Sequence, residues 1–326
     1  MIDLRSDTVT KPTPAMLAAM AAAEVGDEQF LEDPTTNALQ ERMAGLLGHE
    51  AALFLPSATM ANQAALRALT KPGSMLLAEE RTHILIYEWG GPAIHSGLVM
   101  RGVPADAGVL TPAQIEREED LGPGGIVVLE NTHRSAGGRI WPLGAFTEAV
   151  DAARGKGAAV HLDGARLFNA SVAAGLPPSA WAGLADSVTV CFSKGLGCPL
   201  GAILAGSAEL IERAWEAKYL LGGALRQSGV VAAAALYALD NHVDRLADDH
   251  ARARRIADAL DAECETNFVA IPDALGALER LRERGVLLDG LRPGFLRAVT
   301  HLNISDDDVD EAIEVVAAAL EARVHA

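Results

Sequence analysis

The stretch SVTVCFSKGLGCPLGAILAG, residues 187–206, sets a single lysine between two apolar runs. SVTVCF (187–192) and GAILAG (201–206) read as strands: they are short, continuously hydrophobic and lack helical periodicity. That is how strands buried on both faces of a sheet look. Lys194 falls just past the end of the first, and no further charge follows until Glu209. An ammonium is costly to desolvate, so a lysine in such a run needs a purpose.

Working outward, five more runs have the same character: AALFL (51–55), SMLLAE (74–79), GLVMRGV (97–103), GIVVLE (125–130) and AAVHLD (158–163). Helix signals lie between several of them. Thr111-Pro112-Ala113-Gln114 offers an N-cap, a proline in the first turn and a capping-box glutamine. The segment 143–156 stops at Gly157, and 207–221 starts on Ser207 with Glu209 in its first turn. Alternation of this kind predicts an α/β fold with a mainly parallel sheet covered on both faces. After about residue 240 the pattern changes to a charged helix (242–263), TNFVAI, the helix GALERLRERG, FLRAVTHL and a last helix capped by Ser305. The chain thus divides into a large unit, residues 1–241, and a small α+β unit, residues 242–326.

The chain of 326 residues is half hydrophobic and carries a formal charge of −17. That charge excludes nucleic acid or an anionic membrane as the natural partner, since both require a basic face. MIDLRSDTVTK has no apolar h-region, and the uncharged run 167–185 is broken by Pro177 and Pro178, so neither a signal peptide nor a membrane span is expected. Three scattered cysteines, Cys191, Cys198 and Cys264, fit neither a disulfide framework nor zinc spacing and suggest a reduced, cytoplasmic protein.

Ligands of open α/β sheets gather at the carboxyl ends of the strands. The polar residues predicted there are Ser57 and Thr59, Glu130, Asn131 and His133, Asp163 and Arg166, and Ser193 and Lys194. A buried aspartate and a lysine together suit pyridoxal phosphate chemistry: the lysine binds the cofactor aldehyde covalently and the aspartate keeps the pyridine nitrogen protonated. Burial would also favour the neutral, nucleophilic amine. A structural Lys194–Asp163 ion pair is the competing reading. PSATMANQ (56–63) supplies a strand-to-helix turn able to bind phosphate, or an ordinary cap. His161 and Asp163 form H-x-D, but no third ligand stands out, so no metal is expected. His83 and His133 lie just past strand ends; His49, His95, His242, His250 and His325 are read as surface or loop residues.

Taken in order, IDLRSDTVTKPT, THI..YE, ENTH...GGR, HLDGARLFNA, SKGLG.P.GA, LGGALRQ and R.VTH resemble the threonine aldolases of the pyridoxal-phosphate-dependent β-eliminating lyase group over nearly the full chain. The resemblance implies fold type I (aspartate aminotransferase-like), with a seven-stranded mainly parallel sheet and a small C-terminal domain. It implies cleavage of L-threonine and L-allo-threonine to glycine and acetaldehyde by a homotetramer with shared sites. By matching position, Lys194 would carry pyridoxal 5'-phosphate, Asp163 would hold its ring nitrogen and His83 would stack on the ring. Ala58, Thr59 and a neighbouring subunit's Arg226 would bind phosphate. Ser6, Arg166 and Arg297 would clamp the substrate carboxylate, with Arg166 also near the cofactor. His133 and His83 would handle the β-hydroxyl proton.

Four departures stand out. Ala58 replaces a usual glycine, Phe30 and Leu31 stand where tyrosine and glycine are frequent, Arg134 replaces an asparagine, and the stretch around Arg297 is compact. Other readings are a lyase acting on aromatic β-hydroxy amino acids such as phenylserine, a β-eliminating lyase releasing ammonia, and a non-catalytic scaffold.

Overall fold

The computed structural model describes residues 1–272 and 276–321; His325 lies outside the described residues. Its strands, in chain order, are β1 (Ile2–Asp3), β2 (Ala51–Leu55), β3 (Met75–Glu79), β4 (Val99–Val103), β5 (Ile126–Glu130), β6 (Ala159–Asp163), β7 (Ser187–Cys191), β8 (Ala202–Gly206), β9 (Glu263–Cys264), β10 (Phe268–Pro272), β11 (Val286–Leu287), β12 (Asp289–Arg292) and β13 (Phe295–Val299). The seven runs expected as strands form one sheet, in the order β2-β8-β7-β6-β5-β3-β4.

All neighbours in that sheet are parallel except around β8, which runs antiparallel to both β2 and β7. The link 192–201 explains the exception. A parallel crossover needs about a dozen residues or more. This link is shorter and has no helix, so the chain turns back on itself, and Lys194 sits in that turn at the carboxyl end of β7.

Helices cover the sheet on both faces, and their starts follow local chemistry. Thr111 and Gln114 form the full capping box, and Ser207 accepts the Leu210 N–H. The helix Ala58–Leu69 is capped by Ser57 accepting from the Met60 N–H. The charged helix is shorter than its pattern suggests, Leu246–Leu260, because Asp261 turns into left-handed backbone at φ 48°. His242 is buried rather than superficial, its Nδ1 donating to the Leu196 carbonyl at 2.7 Å.

The small unit is a four-stranded antiparallel sheet, β12-β13-β10-β9, backed by the helices Leu246–Leu260 and Asp306–Glu321. The N-terminus joins it: β1 pairs parallel with β11, and Ile2 and Leu4 are buried in one apolar cluster with residues between Ala253 and Ala319.

Candidate active site

The carboxyl ends of the parallel strands meet on one edge, with Glu130 of β5 and Asp163 of β6 side by side in register. Beside this edge opens a cavity of about 370 Å³ lined by Arg5, Ser6, Thr8, Val9, His83, Tyr87, Arg134, Arg166, Lys194, Asp289 and Arg297. Residues from the N-terminus, four strand ends and the small unit thus converge on one space.

Lys194 is partly exposed there, which corrects the expectation of a buried amine: the apolar residues around it, Phe192, Leu196 and Cys198, are buried while the lysine reaches the cavity. Thr10 Oγ1 holds the turn by donating to the Lys194 carbonyl at 2.9 Å. The competing Lys194–Asp163 ion pair does not form. Asp163 instead accepts from Asn62 Nδ2 at 2.9 Å and from the Ala165 N–H at 3.1 Å. Burial alone would raise the Asp163 pKa, but the neighbouring His83 ring, Lys194, the His161 ring and the Asn62 hydrogen bond hold it below the ordinary value. It is a buried carboxylate kept ionised.

Asn62 is the hinge of this network. Its Nδ2 also donates to Glu88 Oε1 at 2.8 Å, and its Oδ1 accepts from His161 Nε2 at 3.0 Å. His161, buried and pushed down to about 4 chiefly by desolvation, is neutral and accepts from the Ser187 hydroxyl at 2.7 Å. Glu88 takes a second amide from Gln63 at 2.6 Å and the His83 Nδ1–H at 3.0 Å. That leaves His83 Nε2 as the free ring nitrogen. Potential ligand atoms of His83, Glu88 and Asp163 lie within 4.8 Å of one another. The amides of Asn62 and Gln63 already occupy two of these carboxylates.

Arg166 lines the cavity but is committed to Asp7, by Nε to Oδ2 at 2.7 Å and Nη2 to Oδ1 at 2.5 Å. Burial works against the charge of Asp7, yet Arg166, Lys194 and Asn267 bring its pKa down to about 2. Arg297 donates to the Arg5 carbonyl at 2.8 Å and to Asp289 at 2.7 Å, while its Nη1 is buried without a partner. Desolvation first, then Arg134, lowers its pKa to about 10. Ser6 lines the cavity, its hydroxyl oxygen accepting from Thr8.

Other residues singled out in the sequence do not line this cavity. His133 is the clearest: it lines a separate cavity of about 450 Å³ with Glu79, Arg81 and Arg139. Both its nitrogens are taken, Nε2 donating to Glu79 at 2.9 Å and Nδ1 accepting from the Ala136 N–H at 3.2 Å. It is not among the residues that line the Lys194 cavity, where it was expected beside the substrate hydroxyl. Arg226 is exposed, pairing with Asp27 at 3.0 Å. Phe30 and Leu31 are also exposed and do not line the Lys194 cavity. Ala58 is tolerated because it begins the helix Ala58–Leu69, and no positive φ is required of it. As first residues of that helix, Ala58 and Thr59 have N–H groups with no acceptor one turn back, an arrangement suited to an anion.

Sequence reasoning missed Asn62, Glu88 and Asp7. Each belongs to a quoted motif, but none carries a local sign that it binds a residue tens of positions away.

The chain matches the family model described as Beta-eliminating lyase over residues 3–269. It is 39% identical over 329 residues to the low specificity L-threonine aldolase of Escherichia coli (strain K12), covering 95% of this chain and 97% of that one. It is 39% identical over 334 residues to the low-specificity L-threonine aldolase 1 of Arabidopsis thaliana, covering 94% and 93%. Among solved structures, a threonine aldolase from Leishmania major superposes with a TM-score of 0.83 at 19% identity, covering 98% and 99%. A PLP-bound serine palmitoyltransferase from S. paucimobilis superposes with a TM-score of 0.76 at 18%, covering 98% and 88%. The fold is that of the fold-type-I pyridoxal-phosphate enzymes. Sequence and fold agree, and the chain belongs to the beta-eliminating lyase and threonine aldolase family.

Proposed function

We propose that the protein is a low-specificity L-threonine aldolase, cleaving L-threonine and L-allo-threonine reversibly into glycine and acetaldehyde with pyridoxal 5'-phosphate. One observation carries the reading: Lys194, His83, Arg166 and Arg297 line a single cavity beside the ionised Asp163. The residues fit the cofactor. Asp163 is a buried anion with no cation bonded to it, Arg297 Nη1 is an unpartnered buried donor, and the Ala58 and Thr59 N–H groups are open.

In this reading Lys194 tethers the cofactor, Asp163 accepts from its ring nitrogen, and Ala58 and Thr59 hold its phosphate with the partner subunit's Arg226. Bound there, pyridoxal phosphate supplies a sink for the electron pair left when a bond to Cα breaks. Arg297 and Ser6 hold the substrate carboxylate, and Arg166, fixed by Asp7, lines the same wall. His83 accepts the β-hydroxyl proton at Nε2, and Glu88 on its other nitrogen stabilises the imidazolium that results. The Cα–Cβ bond then opens, acetaldehyde departs, and Cα takes up a proton to give glycine. We assign the protein to the cytoplasm as a homotetramer, divided into units 1–241 and 242–326. Among the described residues, no helix is long and apolar enough to cross a membrane.

The test is acetaldehyde release from both substrates by purified protein with added cofactor. Lys194→Ala should lower it at least about a thousandfold. Turnover that survives in that variant sinks the mechanism, and ammonia in place of aldehyde moves the assignment to β-elimination.

A further inference from the structure

The cavity carries more positive charge than a threonine-sized substrate can use. Its cations separate by partner. Arg5 is tied to Asp3, Arg166 to Asp7 and Arg297 to Asp289. Lys194 is committed to the cofactor in the reading above. Arg134 alone remains, and among the described residues no carboxylate lies within ion-pair distance of its guanidinium.

Arg134 is nevertheless held in place. Its backbone N–H donates to Glu130 Oε1 at 2.7 Å, and Glu130 Oε2 accepts the His83 N–H at 2.5 Å. Its guanidinium carbon lies 4.1 Å over the Tyr87 ring, and Tyr87 in turn leans on His83 with ring centroids 5.5 Å apart. The chain Arg134–Tyr87–His83 therefore puts a guanidinium on the wall beside the group that handles the β-hydroxyl. Arg134 Nη1 is buried without a hydrogen-bond partner, as is Arg297 Nη1. Arg134 and Arg297 both line this cavity and each has a nitrogen without a partner, whereas the amino acid of the proposed reaction brings one carboxylate. The field of Arg134 reaches Arg297, where after desolvation it helps to lower the pKa, so the two charges repel each other.

We infer that Arg134 is a specificity-determining residue that binds an anionic group on the β-carbon, so that the favoured substrates are β-hydroxy amino acids bearing a second carboxylate. This rests on the aldolase reading. The simplest such substrate is 3-hydroxyaspartate. Its Cα–Cβ bond breaks, the β-hydroxyl proton leaves to the base, and the electron pair left on Cα takes up a proton. The products are glycine and glyoxylate, which together account for every atom of the substrate with no oxidant or co-reactant. Arginine suits the role because its planar fork matches a carboxylate, and its stacking on Tyr87 fixes that fork.

Two measurements on the cofactor-loaded enzyme test the inference. The first is calorimetric binding of L-aspartate and L-alanine, neither of which has a β-hydroxyl to cleave. L-Aspartate should bind at least about tenfold more tightly, a charge-assisted hydrogen bond's effect. Equal affinities overturn the inference without any variant. The second is the ratio of kcat/KM for 3-hydroxyaspartate to that for L-threonine. Arg134→Gln should reduce this ratio about 10- to 100-fold, and Arg134→Lys, which keeps the charge, should retain part of it. An unchanged ratio in Arg134→Gln overturns the assignment to Arg134. Cleavage of threonine without preference for the acid defeats this inference alone; a wild-type enzyme that cleaves neither defeats the aldolase reading, while the L-aspartate binding still decides the fate of Arg134.

Discussion

Asn62 touches three charged or polar groups that no single motif connects: Asp163, Glu88 and His161. Its amide donates to Asp163 and adds to the larger effects of His83, Lys194 and His161 that keep this buried carboxylate below its ordinary pKa. Removing it leaves a carboxylate short of a donor and a buried His161 N–H without an acceptor. We expect Asn62→Ala to cost about 2 kcal/mol or more of stability and to weaken cofactor retention. Urea unfolding checks the first part: a lower midpoint at unchanged slope is expected, and an unmoved midpoint would show the network to be dispensable. Lys194 and Asp163 could be picked out of the sequence because a charged residue at the end of an apolar strand is conspicuous. Asn62 could not, since an amide on an alanine-rich helix looks like any half-exposed helical residue.

At the scale of an element, the turn after β6 shows how closely the site is built. Gly164 follows Asp163 and donates its N–H to the Thr189 carbonyl at 2.8 Å. A Cβ on Gly164 would lie 2.9 Å from that same oxygen and 3.1 Å from the Leu167 Cβ. Both neighbours are anchored, one in β7 and the other at the start of a helix, so neither yields cheaply. Gly164→Ala should destabilise the protein by about 1–3 kcal/mol and displace Asp163 from its proposed place at the cofactor nitrogen, read as a lower thermal midpoint and a shifted visible absorbance of the loaded enzyme. A variant matching wild type in both would mean the turn has slack that the geometry does not suggest. The loop 26–33 makes a contrast. Leu31 takes left-handed backbone, φ 58°, at the position where the family resemblance expects glycine, yet it is exposed and stands apart from the cavity. That departure strains a turn; it does not reshape the Lys194 pocket.

Across the whole molecule, the first dozen residues act as a strap. β1 joins the small unit at β11, His301 donates to the Asp3 carbonyl, and Thr10 holds the Lys194 turn. Midway along, Asp7 grips Arg166 of the large unit. The Asp7 pKa is lowered from 3.8 to about 2, so its stabilising effect is complete above about pH 4 and disappears as pH falls through about 2. His161 is also depressed, from 6.5 to about 4, and a neutral buried histidine of this kind withdraws its stabilisation as pH falls from about 6.5 towards 4. Acid should therefore erode stability in two stages, His161 contributing about 3 kcal/mol in the upper window, to which His250, also pushed down to about 4 by burial, adds, and Asp7 about 2 kcal/mol in the lower. Urea unfolding from pH 8 to pH 3 reads the upper stage fully and the start of the lower; a flat profile between pH 6.5 and 4 contradicts a neutral, buried His161. The sequence by itself determined the seven strands and the α/β class, and it singled out Lys194 and Asp163 at strand ends. Those follow from hydrophobic runs, caps and link lengths, which are local properties. Only the tertiary structure decided that Asp7 neutralises Arg166, that His133 faces another cavity and that Arg134 joins the Lys194 wall. These are meetings of residues distant along the chain, and side-chain direction at a loop is set by what packs against it, not by its own neighbours in sequence.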